Sequence, residues 1–313
     1  MAETITGFDQ LLSATAKQHG QTLPLRAAVV LPDAPAVLQA VRRTMAQGLI
    51  KPFLLIDRAT LAKSTAGSGM CPDEFDIIPS ESPEDAVTMG AKMALDHKAD
   101  LLVFGTDENF AAVSYLARPE NGFVSAKGLL GHVGLLEHRK YPRLLLLTDS
   151  FVHPIPDINQ KIGLIQNAAA VARALGVGVP KVAVLAAVEV VYPGMIATTD
   201  GAILAKMSDR RQIPGCTVDG PLSMDCATVM EVARDKGVVS EVAGAADILL
   251  APDMETANST YKAMSMVVRA GAAGVIVGGW VPVAFPARCD SSDNIFNSIL
   301  AAVFLACRNK NWS

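Results

Sequence analysis

The sequence predicts an α/β protein built as two lobes, and three observations carry that expectation. Half of the 313 residues are apolar and only 5% are aromatic, a balance rich in Ala, Val, Leu and Ile that suits sheets covered by helices. Short apolar runs alternate with segments of helical period almost end to end, as when parallel strands are joined by crossover helices. The length exceeds what one small core needs, because a domain usually runs about 100 to 200 residues.

Taken in order, 25–31 reads as a strand, 35–47 as a helix closed by Gly48, and 52–57 and 75–79 as further strands. Ser82-Pro83-Glu84-Asp85 starts a helix with a hydroxyl cap, proline at the first helical position and a capping carboxylate. A strand at 100–104 follows. In the second half, 144–147 is a strand ending in Thr148-Asp149, and Asp157 caps a helix that runs to Leu175 and stops at Gly176. Strands are expected at 181–188, 216–218, 247–250 and 274–277, and helices at 195–208, 224–236 and 254–269. The last pair is a strand at 281–286 and a helix at 292–307. Asp149, Asp219, Asp253 and Arg288 stand where strands end, and in open α/β sheets ligands bind outside the carboxyl ends of strands. The site is expected there.

Several function classes are excluded. A net charge of −4 provides no broad positive field for nucleic acid or an anionic membrane. The five cysteines are widely spaced and form no CxxC pair, which suggests neither a disulfide framework nor a zinc site and fits a reducing cytoplasm. The first 20 residues carry Glu3, Asp9, Lys17 and His19, and no run of about 18 uncharged apolar residues occurs. Gly176-Val177-Gly178 places Lys181 where a dinucleotide fingerprint needs its third glycine. A Walker loop and a GxSxG elbow are absent, and the five histidines lack metal spacing.

One long run carries positive information. GHVGLLE (131–137), LLLLTDSFVHPIPDINQKIGLIQNA (144–168), KVAVLAAVE (181–189), KMSDRRQIPGCTVDGPLSMDCA (206–227) and SEVAGAADILLAPDMETANSTYKA (240–263) occur in this order. Over 129–305 the chain resembles the phosphate acetyl/butyryltransferase family, and the butyryltransferase branch more closely. The resemblance implies a two-lobed fold like that of the isocitrate and isopropylmalate dehydrogenases, a cleft between lobes, and a homodimer. It places 1–142 with 282–313 in an N-terminal lobe and 143–281 in a second lobe. It implies acyl-CoA and phosphate, or an acyl phosphate, as partners, with coenzyme A a substrate and no metal or redox cofactor.

Such chemistry needs a base for a thiol of pKa about 8.5, donors for phosphate, and donors for a tetrahedral oxyanion. In PVAFPARCDSSDN (282–294) Arg288 follows a strand and precedes a helix start, an anion-binding place, and it matches the Arg of the family's Ser-Arg turn. Asp290 and Asp293 read as a capping pair with Ser291 as the alternative cap, and both carboxylates are catalytic candidates. Asp293 is the carboxylate nearest the family's thiol base, whereas the closest register gives Asn294. The chain departs from the pattern at Ala287, where relatives carry Ser, and at Ala257, Trp280 and Cys289.

Further substrate contacts implied are Asp253, with Glu255, Asn258 and Lys262 on one helix face. The remaining candidates are Arg210 beside Lys206 and Arg211, Asp219 and Asp225 of DGPLxxD, and Ser240 with Gly244 of SEVAG. Three functions compete: a short-chain phosphate acyltransferase; a relative that binds CoA or acyl phosphate without turnover, as Ala287 and Asn294 suggest; and a decarboxylating dehydrogenase, for which no Arg-rich motif or Asp trio is found.

Overall fold

A computed structural model describes residues 4–17, 22–66, 70–105, 109–124 and 128–308. The elements run α1 (Phe8–Ala16), β1 (Leu25–Val30), α2 (Pro35–Ala46), β2 (Ile50–Leu55), α3 (Arg58–Thr65), β3 (Asp76–Ile78), α4 (Pro83–Leu95), β4 (Leu101–Phe104) and α5 (Asn109–Leu116). Next come β5 (Gly131–Glu137), β6 (Leu145–Thr148), α6 (Ile158–Ala174), β7 (Lys181–Leu185), α7 (Ile196–Asp209), β8 (Thr217–Leu222), α8 (Met224–Thr228), α9 (Met230–Asp235), β9 (Ile248–Leu250) and α10 (Met254–Lys262). The chain closes with β10 (Gly271–Val277), β11 (Val283–Ala284) and α11 (Ser292–Arg308). The α/β class is as the sequence predicts.

Two compact units emerge. A flanking unit joins Gly7–Leu130 to Ser265–Ser313, and a mid-chain unit joins Met1–Thr6 to Gly131–Met264. The bounds of these units fall at 6/7, 130/131 and 264/265. The reason is pairing: β5 bonds to β6, which keeps 131–142 with the mid-chain strands, and β10 bonds to β11, which keeps 271–277 with the flanking ones.

In the flanking unit the strand order is β3-β2-β1-β4-β11-β10. Ala27 to Val30 of β1 are fully buried, flanked in parallel register by β2 and β4. Helix α11 packs on α1, α2 and β10 and buries Ile295, Phe296 and Ile299 to Leu305; each such large apolar side chain stabilises the fold by roughly 1.5–3 kcal/mol. In the mid-chain unit the order is β5-β6-β9-β7-β8, with α7 lying on β8. Gly201 permits that contact, since a Cβ there would stand 2.9 Å from Pro221 Cα.

Three expectations are corrected. The sheets are not parallel throughout: β5–β6 and β10–β11 run antiparallel, because the links between them are shorter than the dozen or so residues a crossover needs. The helix expected over 224–236 breaks at Val229. There the carbonyls of Cys226 and Ala227 accept the N–H groups of Gly244 (2.8 Å) and Ala246 (3.2 Å) instead of continuing the helical ladder. The helix expected to reach 269 ends as α-helix at Lys262 and continues as a π-helical turn, Ala263–Val267. Helices α1, α3 and α5 and strand β5 were not expected at all. In β5 the signal is weakened by Gly131 and Gly134, the latter small because Tyr261 packs on it, with a ring carbon 2.9 Å from where a Cβ would stand.

Candidate functional site

The turn after β11 is built by Asp290. Its buried Oδ2 accepts the Ala287 N–H (2.8 Å), and its own N–H donates to the Ala287 carbonyl (2.9 Å). Closed from both sides, the turn projects Arg288 at an exposed tip while Ala287 is 1% exposed. Asp290 is therefore the staple of the turn, not a helix cap. The cap is Ser291, whose Oγ accepts the Asn294 N–H (3.3 Å), so the alternative weighed from the sequence is the one observed.

Asp293 and Asn294 point to different tasks. Asp293 lies on the surface and pairs with Arg43 (2.6 Å), whose guanidinium also stacks on Phe296 at 3.9 Å. Asn294 is buried, and its Oδ1 accepts the Ala272 N–H (3.1 Å); one turn on, Ser298 accepts the Gly274 N–H (2.9 Å). Two polar side chains, Asn294 and Ser298, thus fasten α11 to the backbone of β10.

In the mid-chain unit Asp253 caps α10 by accepting the Thr256 N–H (2.7 Å). Asn258 Nδ2 donates to the Ser150 carbonyl (3.2 Å), which ties α10 to the loop leaving β6, while Glu255 and Lys262 are exposed. The same loop begins at Asp149, one of the strand-end residues named from the sequence, whose partners only the fold brings together. Asp149, 3% exposed, accepts N–H groups from His132 (3.2 Å), Phe151 (3.1 Å) and Val152 (3.1 Å) on Oδ1 and from His153 (3.0 Å) on Oδ2. Burial pushes its carboxyl above the usual range against the pull of those N–H groups. The ring of His132 meets Phe151 edge-on at 4.7 Å and Tyr261 at 6.0 Å, so α10 and the loop share one core.

The carboxyl ends of β7 and β8 carry a missed constellation. Lys236 Nζ lies 2.9 Å from Glu189 Oε1, 2.9 Å from Ser223 Oγ and 3.2 Å from Asp225 Oδ2. Ser223 Oγ also bonds Glu189 and lies 2.5 Å from Asp225 Oδ1. The Ser223 hydroxyl, with help from Lys236 and despite some desolvation, holds Asp225 down at about 2. Burial acts to raise Glu189, but its bonds to Ser223 and Lys236 outweigh burial and leave it lowered. Only Asp225 of the four had been singled out: Ser223 stands two residues before it, but Glu189 lies 34 residues before Ser223 and Lys236 13 residues after it.

Asp219 is half-buried and accepts the Gly220 N–H (2.8 Å). Ser240 Oγ accepts the N–H groups of Val242 (3.0 Å) and Ala243 (3.3 Å), and Gly244 follows at φ +72° with no room for a Cβ, which would stand 2.4 Å from Met230 Cα. Arg210 is exposed at the end of α7, one turn after Lys206, which pairs with Asp209 (3.0 Å). The turn, the β6 loop and the β7–β8 ends thus each gather candidates at strand carboxyl ends. Among the described residues, no group of three or more His, Cys, Asp and Glu could hold a metal ion, and no helix is long and apolar enough to cross a membrane.

Comparison with known proteins places these features in context. The family model for phosphate acetyl/butaryl transferase matches residues 79–303. A phosphate butyryltransferase of Clostridium acetobutylicum is 37% identical over 302 residues, covering 96% of this chain and 99% of the relative. A phosphate acetyltransferase of Thermotoga maritima is 39% identical over 223 residues, covering 71% of this chain and 76% of the relative. Among solved structures, a branched-chain phosphotransacylase from Enterococcus faecalis V583 matches with a TM-score of 0.78 at 24% identity, covering 91% of this chain and 100% of that one.

Proposed function

Because the chain belongs to the phosphate acetyl/butyryltransferase family, we propose that it moves a short, butyryl-like acyl group between coenzyme A and inorganic phosphate. The observation that carries this reading is the stapled turn that presents Arg288 at the start of α11. A guanidinium held there suits a phosphate or a developing oxyanion. In thioester synthesis the CoA sulfur bonds to the acyl carbon, the carbon–oxygen bond to phosphate breaks, and phosphate leaves with the electron pair. The thiol proton passes to a base, for which Asp293 is the carboxylate in the first turn of α11 and Arg43 its partner; Asp290 acts by holding the turn. No metal or redox cofactor enters this scheme.

Arg210, Glu255 and Lys262 are exposed and serve in this reading as contacts to substrate. Asp219, Ser240, Gly244, Asp253 and Asn258 act through the loops they shape. A homodimer in the cytoplasm is the proposed working form, to be checked by light scattering and cell fractionation.

The competing idea of binding without turnover rested on Ala287 and Asn294, and the bond from Asn294 to β10 accounts for that residue by packing. The test is release of CoA thiol from acetyl-, propionyl-, butyryl- and isobutyryl-CoA on adding phosphate. Release that is greatest with a four-carbon chain and vanishes in Arg288→Ala supports the transferase. No release at any chain length, with binding retained and turnover gained in Ala287→Ser, supports the binding protein.

A further inference from the structure

Within the mid-chain unit a cavity of about 210 Å³ opens between the turn that joins β5 to β6 and helix α8. Its apolar lining is made by Leu136 and Leu145, which pair across β5 and β6, with Met224, Val229 and Met264. Helix α8 stops at this place, with Val229 in an extended conformation (φ −123°, ψ 111°). Met224 and Val229 are 36% and 40% exposed, so water meets apolar side chains that a ligand would cover. The volume lies below the roughly 300–1,000 Å³ of sites for drug-sized ligands, which limits an occupant to a short chain. Two methionines in the lining let the cavity adjust to the shape of that chain.

The polar groups on the lining decide the charge of the ligand. No Asp or Glu is among the described lining residues. Three polar groups are already spent inside the protein: the Tyr141 hydroxyl donates to the Ala246 carbonyl, the Thr228 hydroxyl donates to the Met224 carbonyl (2.8 Å), and His138 Nδ1 accepts the Lys140 N–H (3.3 Å). Lys140 itself uses only that main-chain N–H, so among the described residues its exposed ammonium has no partner. A dianionic phosphate would find one lining cation for two charges. A monoanion on an aliphatic body is matched, its head to the ammonium and its carbon chain to the apolar lining.

We propose that this cavity binds a short aliphatic carboxylate of about four to eight carbons, its head on Lys140 and its tail against Leu136, Leu145 and Met264. None of the lining residues has a part in the acyl transfer described above, so the site is additional to the transferase chemistry and its occupancy needs no turnover. The test is calorimetry on the full chain, without acyl donor or thiol, using acetate, butyrate, hexanoate and octanoate. The parent is compared with Lys140→Gln, which removes the cation, and with Val229→Phe, which fills the cavity from the break after α8.

Each added methylene should tighten binding about fourfold until the cavity is full, so hexanoate should bind roughly tenfold or more tightly than butyrate. Lys140→Gln, a surface change, should weaken every acid by roughly threefold and flatten the dependence on salt. Val229→Phe should abolish the gain with chain length; should it fail to melt as the parent does, the chain series and Lys140→Gln decide without it. Absence of heat with every acid overturns the proposal, as do affinities indifferent to chain length or unchanged in Lys140→Gln. Hexanoate binding untouched in a folded Val229→Phe also overturns it, because the acid then sits elsewhere, the transferase site included. No acid bound by the parent, together with a dimer that falls to a monomer in Val229→Phe by light scattering, would give this face to a second copy of the chain instead.

Discussion

Replacing Asp290 with alanine tests whether the turn that carries Arg288 is held by a single buried carboxylate. Asp290 is 8% exposed, and its Oδ2 accepts the Ala287 N–H at 2.8 Å. Truncation strands that N–H, also buried, at roughly 1–3 kcal/mol, and removes one of the two bonds that close the turn. A stability loss of about 2 kcal/mol is expected in urea unfolding. Arg288 then samples positions about 1 Å or more from its working place, a misplacement that costs on the order of 100-fold in kcat/KM. Asp290→Asn keeps an oxygen acceptor for the Ala287 N–H, so most of the stability and of the rate should return. Two results would refute the reasoning: an alanine variant as stable and active as the parent, or an asparagine variant that is stable yet as inactive as alanine. The second outcome would make the charge of Asp290 itself part of the chemistry.

Other outcomes follow from the same geometry. Gly244→Ala places a Cβ against Met230 Cα, 2.4 Å away, at φ +72°; the strain is expected to cost roughly 1–3 kcal/mol, read as a fall in the urea midpoint. Lys161 and Asp200 form a 2.6 Å pair with side chains 4% and 14% exposed, so Lys161→Met should cost about 3–5 kcal/mol and the double variant Lys161→Met with Asp200→Leu should recover most of it. Since Asp225 is held at about 2 against about 3.9 when unfolded, its contribution is fully present above about pH 4 and is lost as pH falls toward 2. The urea-midpoint gap between the parent and Ser223→Ala should therefore shrink from pH 6 to pH 3; because the Asp225 side chain is 55% exposed, the change is small, and a gap that widens would contradict the assignment.

Much of the fold was legible where local chemistry and packing agree. Ser82 caps α4 by accepting the Asp85 N–H, and Asp157 caps α6 with Gln160 answering back to its N–H, because capping groups sit within four residues of each other. The Arg288 turn was readable for the same reason, a strand, a polar turn and a helix start in one short segment. Legibility failed where partners are distant. The division of labour among Asp290, Ser291, Asp293 and Asn294 was not visible in DSSDN, since it depends on Arg43 reaching Asp293 and on β10 offering the Ala272 N–H to Asn294. The break at Val229 likewise depends on a loop almost twenty residues on.

By itself the sequence determined the α/β class, most strands and helices, the absence of a membrane-crossing apolar run, and the family, all of which are written in neighbouring residues or in motif order. Only the tertiary structure decided which carboxylates staple, cap or pair, where Asp149 finds its four N–H donors, and where a cavity opens. Those outcomes depend on groups up to 250 residues apart in the chain, as Arg43 and Asp293 are. Side chains of the same type diverge in role once folding sets how much water and which partners each retains.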